Sequence, residues 1–534
     1  MRADTVALSG LDYALAAVLA LAITAGGAVR MVPGVVGVFH DDAIYTLTAK
    51  ALAEGEGYRL INLPDAPPQT KYPILYPAIL ATVWRAAPLS PAAHLLAAQV
   101  VTLVLAAAAL AAAYLYAVHF GVAGRAAACA GGLLAASAPN LLFYCVQPLS
   151  EMPFAALLVL ALWMGEQHLR GAAASRAREL ATGFALGLPF LCRVVGVVVP
   201  FAVLGVLALR GKRVRWAAAG VALAVAPWLA WLAHWRGAAD TVIGYQTDYF
   251  SWWWSNEPIA SFAANVGKAF VAFPHLSFEA LAWMSYERFD ATRAVLMAIG
   301  TLPWVVVAVS CRRVLLLPAT LLAYLVLVCF WPWPPDRFLV PILPFLAMLS
   351  FEQLARASAR VAGLRVATAA LAAACIVPVA TNARLLASYA AVSKASHYPY
   401  FLLPDDPVSW TSFEDAFDWL RSHTGPRDVI AAGFDSMTAL YTDRPVVRPF
   451  VARPRVLYYG QDGPAVGTAA NLDRTLAAHR PRYLFVSPMP AYREEEPFYE
   501  LIAALDRERP QRLRPVYRGS DLRFVIYEVV LGEG

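Results

Sequence analysis

A chain of 534 residues that is 60% hydrophobic and only 15% charged departs in both directions from soluble domains, which are about 45–50% apolar and about a quarter charged. With a mean hydropathy of +0.55 it reads as a polytopic membrane protein. The net charge of +6 includes no basic stripe interleaved with aromatics, which argues against nucleic acid as a partner.

The first apolar run, Leu11 to Val32, is longer than a signal-peptide core of about 7–15 residues. It predicts a retained first helix. The loop 33–92 opens on the acidic pair Asp41-Asp42. Ala43 to Leu52 then has the spacing of an amphipathic helix lying on a membrane. Gly55-Glu56-Gly57-Tyr58 follows, and Lys71-Tyr72-Pro73-Ile74-Leu75-Tyr76-Pro77 leads rigidly into the next helix. Apolar runs at 93–118, 126–145, 152–169, 180–209, 216–235, 291–310, 314–333, 338–354 and 364–384 predict further spans, since about 20 apolar residues cross a bilayer. Arg193 sits mid-way in 180–209. A lone Arg at mid-bilayer is expensive, so this stretch predicts two short passes meeting at Arg193, and about eleven spans in all.

With that break, Arg2, Arg125, Arg170, Arg176, Arg178, Lys212, Arg213, Arg215, Arg312, Arg313, Arg356, Arg360 and Arg365 fall on one side, which the positive-inside rule makes cytoplasmic. The opposite side receives Asp41-Asp42, 147–151, Arg193, the 236–290 loop, 334–337 and the tail. Trp252-Trp253-Trp254 on that side reads as an interface anchor. Cys129, Cys145, Cys192, Cys311, Cys329 and Cys375 lie in or beside apolar runs without any CxxC. They read as buried apolar residues, not as a disulfide framework.

After about residue 385 the pattern changes. Trp410 to Ser422 and Leu472 to His479 are helical. Val429 to Ala432, Tyr483 to Val486 and Phe524 to Val530 are strand-like. Alternating strands and helices predict a small α/β domain. It shows no Gly-rich phosphate fingerprint, so no chemistry is assigned to it. The predicted fold is a polytopic all-α membrane domain over 1–385, with surface helices in its first loop, and an α/β domain over 386–534.

The acidic pair with Tyr45 following it, the A-x-x-L-x-x-G-x-G-Y segment and Lys71-Tyr72-Pro73-Ile74-Leu75-Tyr76-Pro77 together resemble the GT-C glycosyltransferases. More narrowly they are similar to the protein mannosyltransferase, aminoarabinose-transferase and Rgt-like group. Gln147-Pro148-Leu149-Ser150-Glu151-Met152-Pro153, Leu191-Cys192-Arg193-Val194-Val195-Gly196 and Asp336-Arg337-Phe338-Leu339-Val340-Pro341-Ile342-Leu343-Pro344 agree in order and spacing.

The resemblance implies transfer of a monosaccharide from a polyprenyl-phosphate donor to an extracytoplasmic acceptor (glycan, lipid or protein) with inversion. It implies a bacterial inner-membrane location, with site and tail outside. Asp41 takes the position of the catalytic carboxylate, with Asp42 as its support or the cap of the following helix, and Glu151 as a second acidic residue. Lys71, Arg193 and Arg337 are the implied donor-phosphate cations; Tyr45, Tyr72, Tyr76 and Gln147 line the substrate. Three positions depart from the group's pattern: Asp42 stands where Glu is frequent, Thr70 where some members carry Glu beside a metal, and Gln147 where the mannosyltransferases carry Arg. His40 beside the acidic pair leaves a divalent metal open, but the sequence supports neither it nor any other cofactor. The rival reading is a transporter or flippase of a lipid-linked glycan. No internal repeat of the transporter kind is found, and movement of labelled lipid across liposomes without sugar transfer would favour it.

Overall fold

The computed structural model describes residues 5–86, 89–171, 175–235, 248–277, 291–310, 316–490 and 492–531. Arg2, Cys311, Arg312, Arg313, the side chain of Arg365 and parts of the 236–290 loop lie outside them.

Apolar composition makes the first two-thirds helical. The helices are α1 (Gly10–Arg30), α2 (Asp41–Glu54), α3 (Leu75–Ala86), α4 (Pro91–His119), α5 (Arg125–Ser137), α6 (Pro139–Val146), α7 (Glu151–Arg170), α8 (Arg176–Cys192), α9 (Val198–Leu209) and α10 (Arg215–His234), with more beyond. Among the described residues six helices are long and apolar enough to cross a membrane, or up to seven if α5 and α6 are one bent span. Val194–Leu209, Gly300–Val309 and Leu316–Cys329 are shorter apolar helices. Large apolar side chains such as Phe201 (74% exposed) and Leu223 (66% exposed) point outward, as lipid-facing residues do and soluble surfaces avoid in such number.

Three elements depart from or refine the sequence reading. The stretch 126–145 is broken by a 71° bend at Ala138, ahead of Pro139, because a proline disfavours helical geometry in the residue before it and supplies no N–H to continue the ladder. The 180–209 stretch breaks at Arg193, which is extended (φ −143°, ψ 138°) between α8 and a 3-10 turn at Val194–Val197. The stretch 338–354 starts in a short helix, Asp336–Leu339, and a 3-10 turn, Val340–Ile342; the rest of it and 364–384 lie in one helical segment, Leu343–Ser396. Met348 meets Gly131 while Cys375 Sγ lies 3.6 Å from the Ala130 carbonyl oxygen. On a straight helix those two residues would be about 40 Å apart at ~1.5 Å per residue, so the segment doubles back between them.

The bundle has two distinct ends. At one, Arg125 on α5 pairs with Asp12 on α1 at 2.6 Å, the Gly124 N–H donates to Glu352 at 2.8 Å and Arg170 pairs with Glu166 at 2.8 Å. Asp41, Glu151 and Arg193 begin or end helices at the other. Close packing sets the spacing: a Cβ on Gly183 of α8 would lie 1.8 Å from the Ala217 carbonyl oxygen on α10. Gly183→Leu is therefore expected to force these helices apart and lower the thermal unfolding midpoint in detergent by at least several degrees, equivalent to about 1–3 kcal/mol of overpacking.

The tail carries a five-stranded sheet in the order β2-β1-β3-β5-β4, with β1 Ile430–Ala432, β2 Val446–Val447, β3 Tyr483–Val486, β4 Leu513–Arg518 and β5 Val525–Val529. β1 runs parallel to β2 and β3; β5 runs antiparallel to β3 and β4. Helices Trp410–His423, Ala469–His479 and Glu495–Glu508 bury one face each.

The helix expected to lie on the membrane is in fact enclosed. Residues 42–49 of α2 are all buried: α3 and the first loop pack along it, the tail helix Asp435–Thr442 closes over it, and Lys50 pairs with Asp443 at 2.9 Å. The tail is thus seated directly on the first loop.

Candidate active site

Asp41 and Asp42 open α2, where the unpaired N–H groups of a first turn favour carboxylates. Their environments differ. Asp42 is fully buried and accepts three backbone N–H bonds, from Gly37 (2.7 Å), Phe39 (3.1 Å) and Ala43 (3.0 Å). Burial pushes its carboxyl up to about 6, with the three N–H bonds opposing. It organises the loop ahead of α2. Asp41 instead points to the bundle: its Oδ2 accepts from Arg337 Nη1 at 2.7 Å and its Oδ1 from the Tyr72 hydroxyl. Burial alone would raise the Asp41 carboxyl, but Arg337, His40 and Lys71 together hold it well below the usual carboxylate range.

Glu151 begins α7 and is completely buried. Its Oε1 takes Arg193 Nη1 at 2.5 Å and Arg337 Nε. Arg337 is therefore a bridge between two carboxylates from loops 110 residues apart. Arg193 also donates to Ser150 Oγ at 3.3 Å, and the Tyr45 hydroxyl donates to the same oxygen at 2.9 Å. Ring packing of Tyr45 on Tyr72 (5.0 Å) and Tyr76 (5.3 Å) ties the first loop into one wall. Glu151 Oε2 and both amide atoms of Gln147 are buried and make no hydrogen bond among the described residues.

Lys71 is buried, with its ammonium 4.9 Å from the Tyr72 ring centroid. Burial lowers it to about 7, against the raising effect of Asp41. The structure thus gathers Asp41, Glu151, Lys71, Arg193, Arg337, Tyr45 and Tyr72. Tyr76 faces the other way, its hydroxyl 2.6 Å from Thr102 Oγ1 on α4, and Asp42 is committed to the backbone. Among the described residues, no three His, Cys, Asp or Glu side chains are placed to hold one metal ion.

Residues of the tail also reach this end. His40 Nε2 lies 3.0 Å from Asp435 Oδ1 and His40 Nδ1 3.6 Å from Asp41 Oδ1. The charge of Arg448 acts on His40, Lys71 and Asp435. No motif announces these residues. One signal was available: Asp435 follows a strand that is parallel to both neighbours, and α/β sheets place ligand groups beyond the carboxyl ends of such strands.

No protein-family model matches the sequence, and no curated protein sequence does either. Solved structures do. The chain is similar to ArnT from Cupriavidus metallidurans bound to undecaprenyl phosphate, at 14% identity and TM-score 0.52, over 98% of this chain and 99% of that one. It is similar to the Archaeoglobus fulgidus oligosaccharyltransferase in its apo form, at 14% identity and TM-score 0.54, over 89% and 69%. It is also similar to the archaeal oligosaccharyltransferase AglB from Archaeoglobus fulgidus in complex with an inhibitory peptide and a dolichol-phosphate, at 12% identity and TM-score 0.52, over 98% and 75%. The chain has the GT-C fold. A GT-C fold with six to seven long apolar helices is a multi-pass membrane protein, and its ordered sequence motifs meet at one end of that fold.

Proposed function

We propose that this protein is an inverting glycosyltransferase that moves a monosaccharide from a polyprenyl-phosphate donor to an acceptor hydroxyl of a glycan, lipid or protein. The observation that carries the reading is the Arg337 bridge, which puts a polarised carboxylate, Asp41, beside cations at one end of a GT-C bundle. The structures similar to this chain include ones holding undecaprenyl phosphate and dolichol-phosphate, which supports the donor class.

The acceptor oxygen attacks the anomeric carbon while the bond from that carbon to the phosphate oxygen breaks. The proton passes from the acceptor hydroxyl to Asp41, and polyprenyl phosphate leaves with the bonding pair. A carboxylate held this acidic is a weak base toward a free alcohol. It works by orienting the hydroxyl and taking the proton late, once the attacking oxygen has become acidic. Fixed cations meet the developing phosphate charge in a poorly hydrated site, where they act most strongly. Lys71 and Arg337 take that role first. Arg193 divides its charge between Glu151 and any ligand, and acts mainly to hold Glu151 in place. Glu151 Oε2 and the Gln147 amide, buried with open valences, suit sugar hydroxyls, with Tyr45 and Tyr72 as neighbours in the wall.

This reading places the protein in a bacterial inner membrane with about eleven passes over 1–385. The site and the 386–534 domain face outward, and the lipid bilayer and the lipid-linked sugar are its partners. The test is the anomeric configuration of the product by proton NMR: inversion relative to the donor is expected, and retention contradicts the single-displacement step. A second expectation follows from Lys71. Because it loses its proton near pH 7, donor KM should rise from pH 6 to pH 8 in the wild type. Lys71→Arg keeps its charge and should flatten that dependence, as steady-state kinetics against pH will read.

A further inference from the structure

The tail is fastened to the loop that carries Asp41. Tyr441 donates its hydroxyl to the Gly34 carbonyl oxygen (3.1 Å) and accepts the Val36 N–H (3.0 Å). Ser436 Oγ donates to the His40 carbonyl oxygen at 3.0 Å. Gly37 has φ +105°, and a Cβ there would meet Met437 at 2.8 Å, so only glycine lets the loop lie this close. His40 itself sits at φ +58°, a conformation that costs about 1–3 kcal/mol and persists only where surroundings enforce it. The enforced residue is the one whose ring stands between Asp435 and Asp41.

We propose that the C-terminal domain completes the catalytic centre: Asp435, acting through His40, positions the Asp41 carboxylate. The inference rests on the proposed transferase reading. A carboxylate–imidazole–carboxylate row fixes the ring's orientation and favours its charged form, so Asp41 is held by His40 on one side and by Arg337 and Tyr72 on the other. The His40–Asp41 separation of 3.6 Å exceeds a direct hydrogen bond; the contact is electrostatic. The charged groups facing His40 are Asp41 from α2, Asp435 from the tail helix and Arg448 from the segment after β2. Burial pushes the imidazole down, but Asp435 and Asp41 outweigh it and raise it. Arg448 opposes them. A tail that served only as a cover would need no buried acid here.

The test uses the full-length protein with Asp435→Asn and Asp435→Glu. In Asp435→Asn, His40 loses its proton at lower pH. Turnover at saturating donor should then fall about tenfold toward the alkaline end of the pH profile and much less toward its acid end. Asp435→Glu should restore most of the loss. Independently of activity, the His40 ring signal in histidine-selective NMR, identified with His40→Gln, should titrate at least one pH unit lower in Asp435→Asn. An unchanged titration midpoint overturns the proposal. So does a turnover loss that is equal at every pH and tracks a lowered unfolding temperature. If the wild type transfers no sugar the transferase reading fails, while the His40 titration still decides whether Asp435 governs the ring.

Discussion

Replacing Arg337 with alanine is expected to abolish measurable sugar transfer and to lower stability together. The guanidinium is shared by Asp41 Oδ2 and Glu151 Oε1, and Glu151 is completely buried. Removing one partner of a buried ion pair typically costs about 3–5 kcal/mol, because the other charge stays behind without compensation. Glu151 keeps Arg193 at 2.5 Å, which places the loss toward the lower end. Turnover should drop by about 10³ or more, since in the proposed mechanism one side chain both aims the base and faces the leaving phosphate. Arg337→Lys retains the charge without the planar fork that spans two carboxylates. It should recover stability more than activity. Thermal unfolding and donor turnover, measured on the same preparations, separate the two effects. Full turnover in Arg337→Ala would show that Asp41 needs no guanidinium.

Asp41→Asn has the second large effect, of a different kind. The amide keeps the shape of the carboxylate but cannot take a proton, so turnover should fall by about 10²–10⁴. Donor KM should rise as well, because the Asp41 charge that opposes the loss of the Lys71 proton is gone. The depressed Asp41 carboxyl also stabilises the fold: that contribution is present above the ordinary carboxylate range and is lost as pH falls through the lower folded value. Asp41→Asn should therefore be less stable than wild type at pH 7, with the difference shrinking toward acid. Unfolding midpoints from pH 7 downward check the sign.

Much of this site was legible in the sequence because its residues sit where apolar runs end. Arg193 interrupts an apolar run, and the break predicted there is the break observed. Asp41 and Glu151 each open a helix and Arg337 lies in the first turn of another, Asp336–Leu339, and the loop-charge argument alone puts them at one end. Other features depend on contacts that periodicity does not encode. The bend at Ala138–Pro139 lies inside an apolar run that reads as continuous. β4 contains Pro515 and has mostly exposed side chains, as an edge strand tolerates, so its pattern is weak. β2 has only two residues. The enclosure of α2 is completed by a helix nearly 400 residues away. The tail's share of the site was missed for the same reason: Asp435 and Arg448 acquire meaning only when the tail docks.

The most direct measurement offers the purified protein in liposomes a panel of polyprenyl-phosphate monosaccharides with cell-envelope acceptors, and follows free polyprenyl phosphate and sugar-labelled product together. At least one donor should yield both in equal amounts, and Asp41→Asn should yield neither. Donor that crosses the bilayer intact, with no polyprenyl phosphate released from any member of the panel, would contradict a transferase and favour a lipid-linked-glycan transporter.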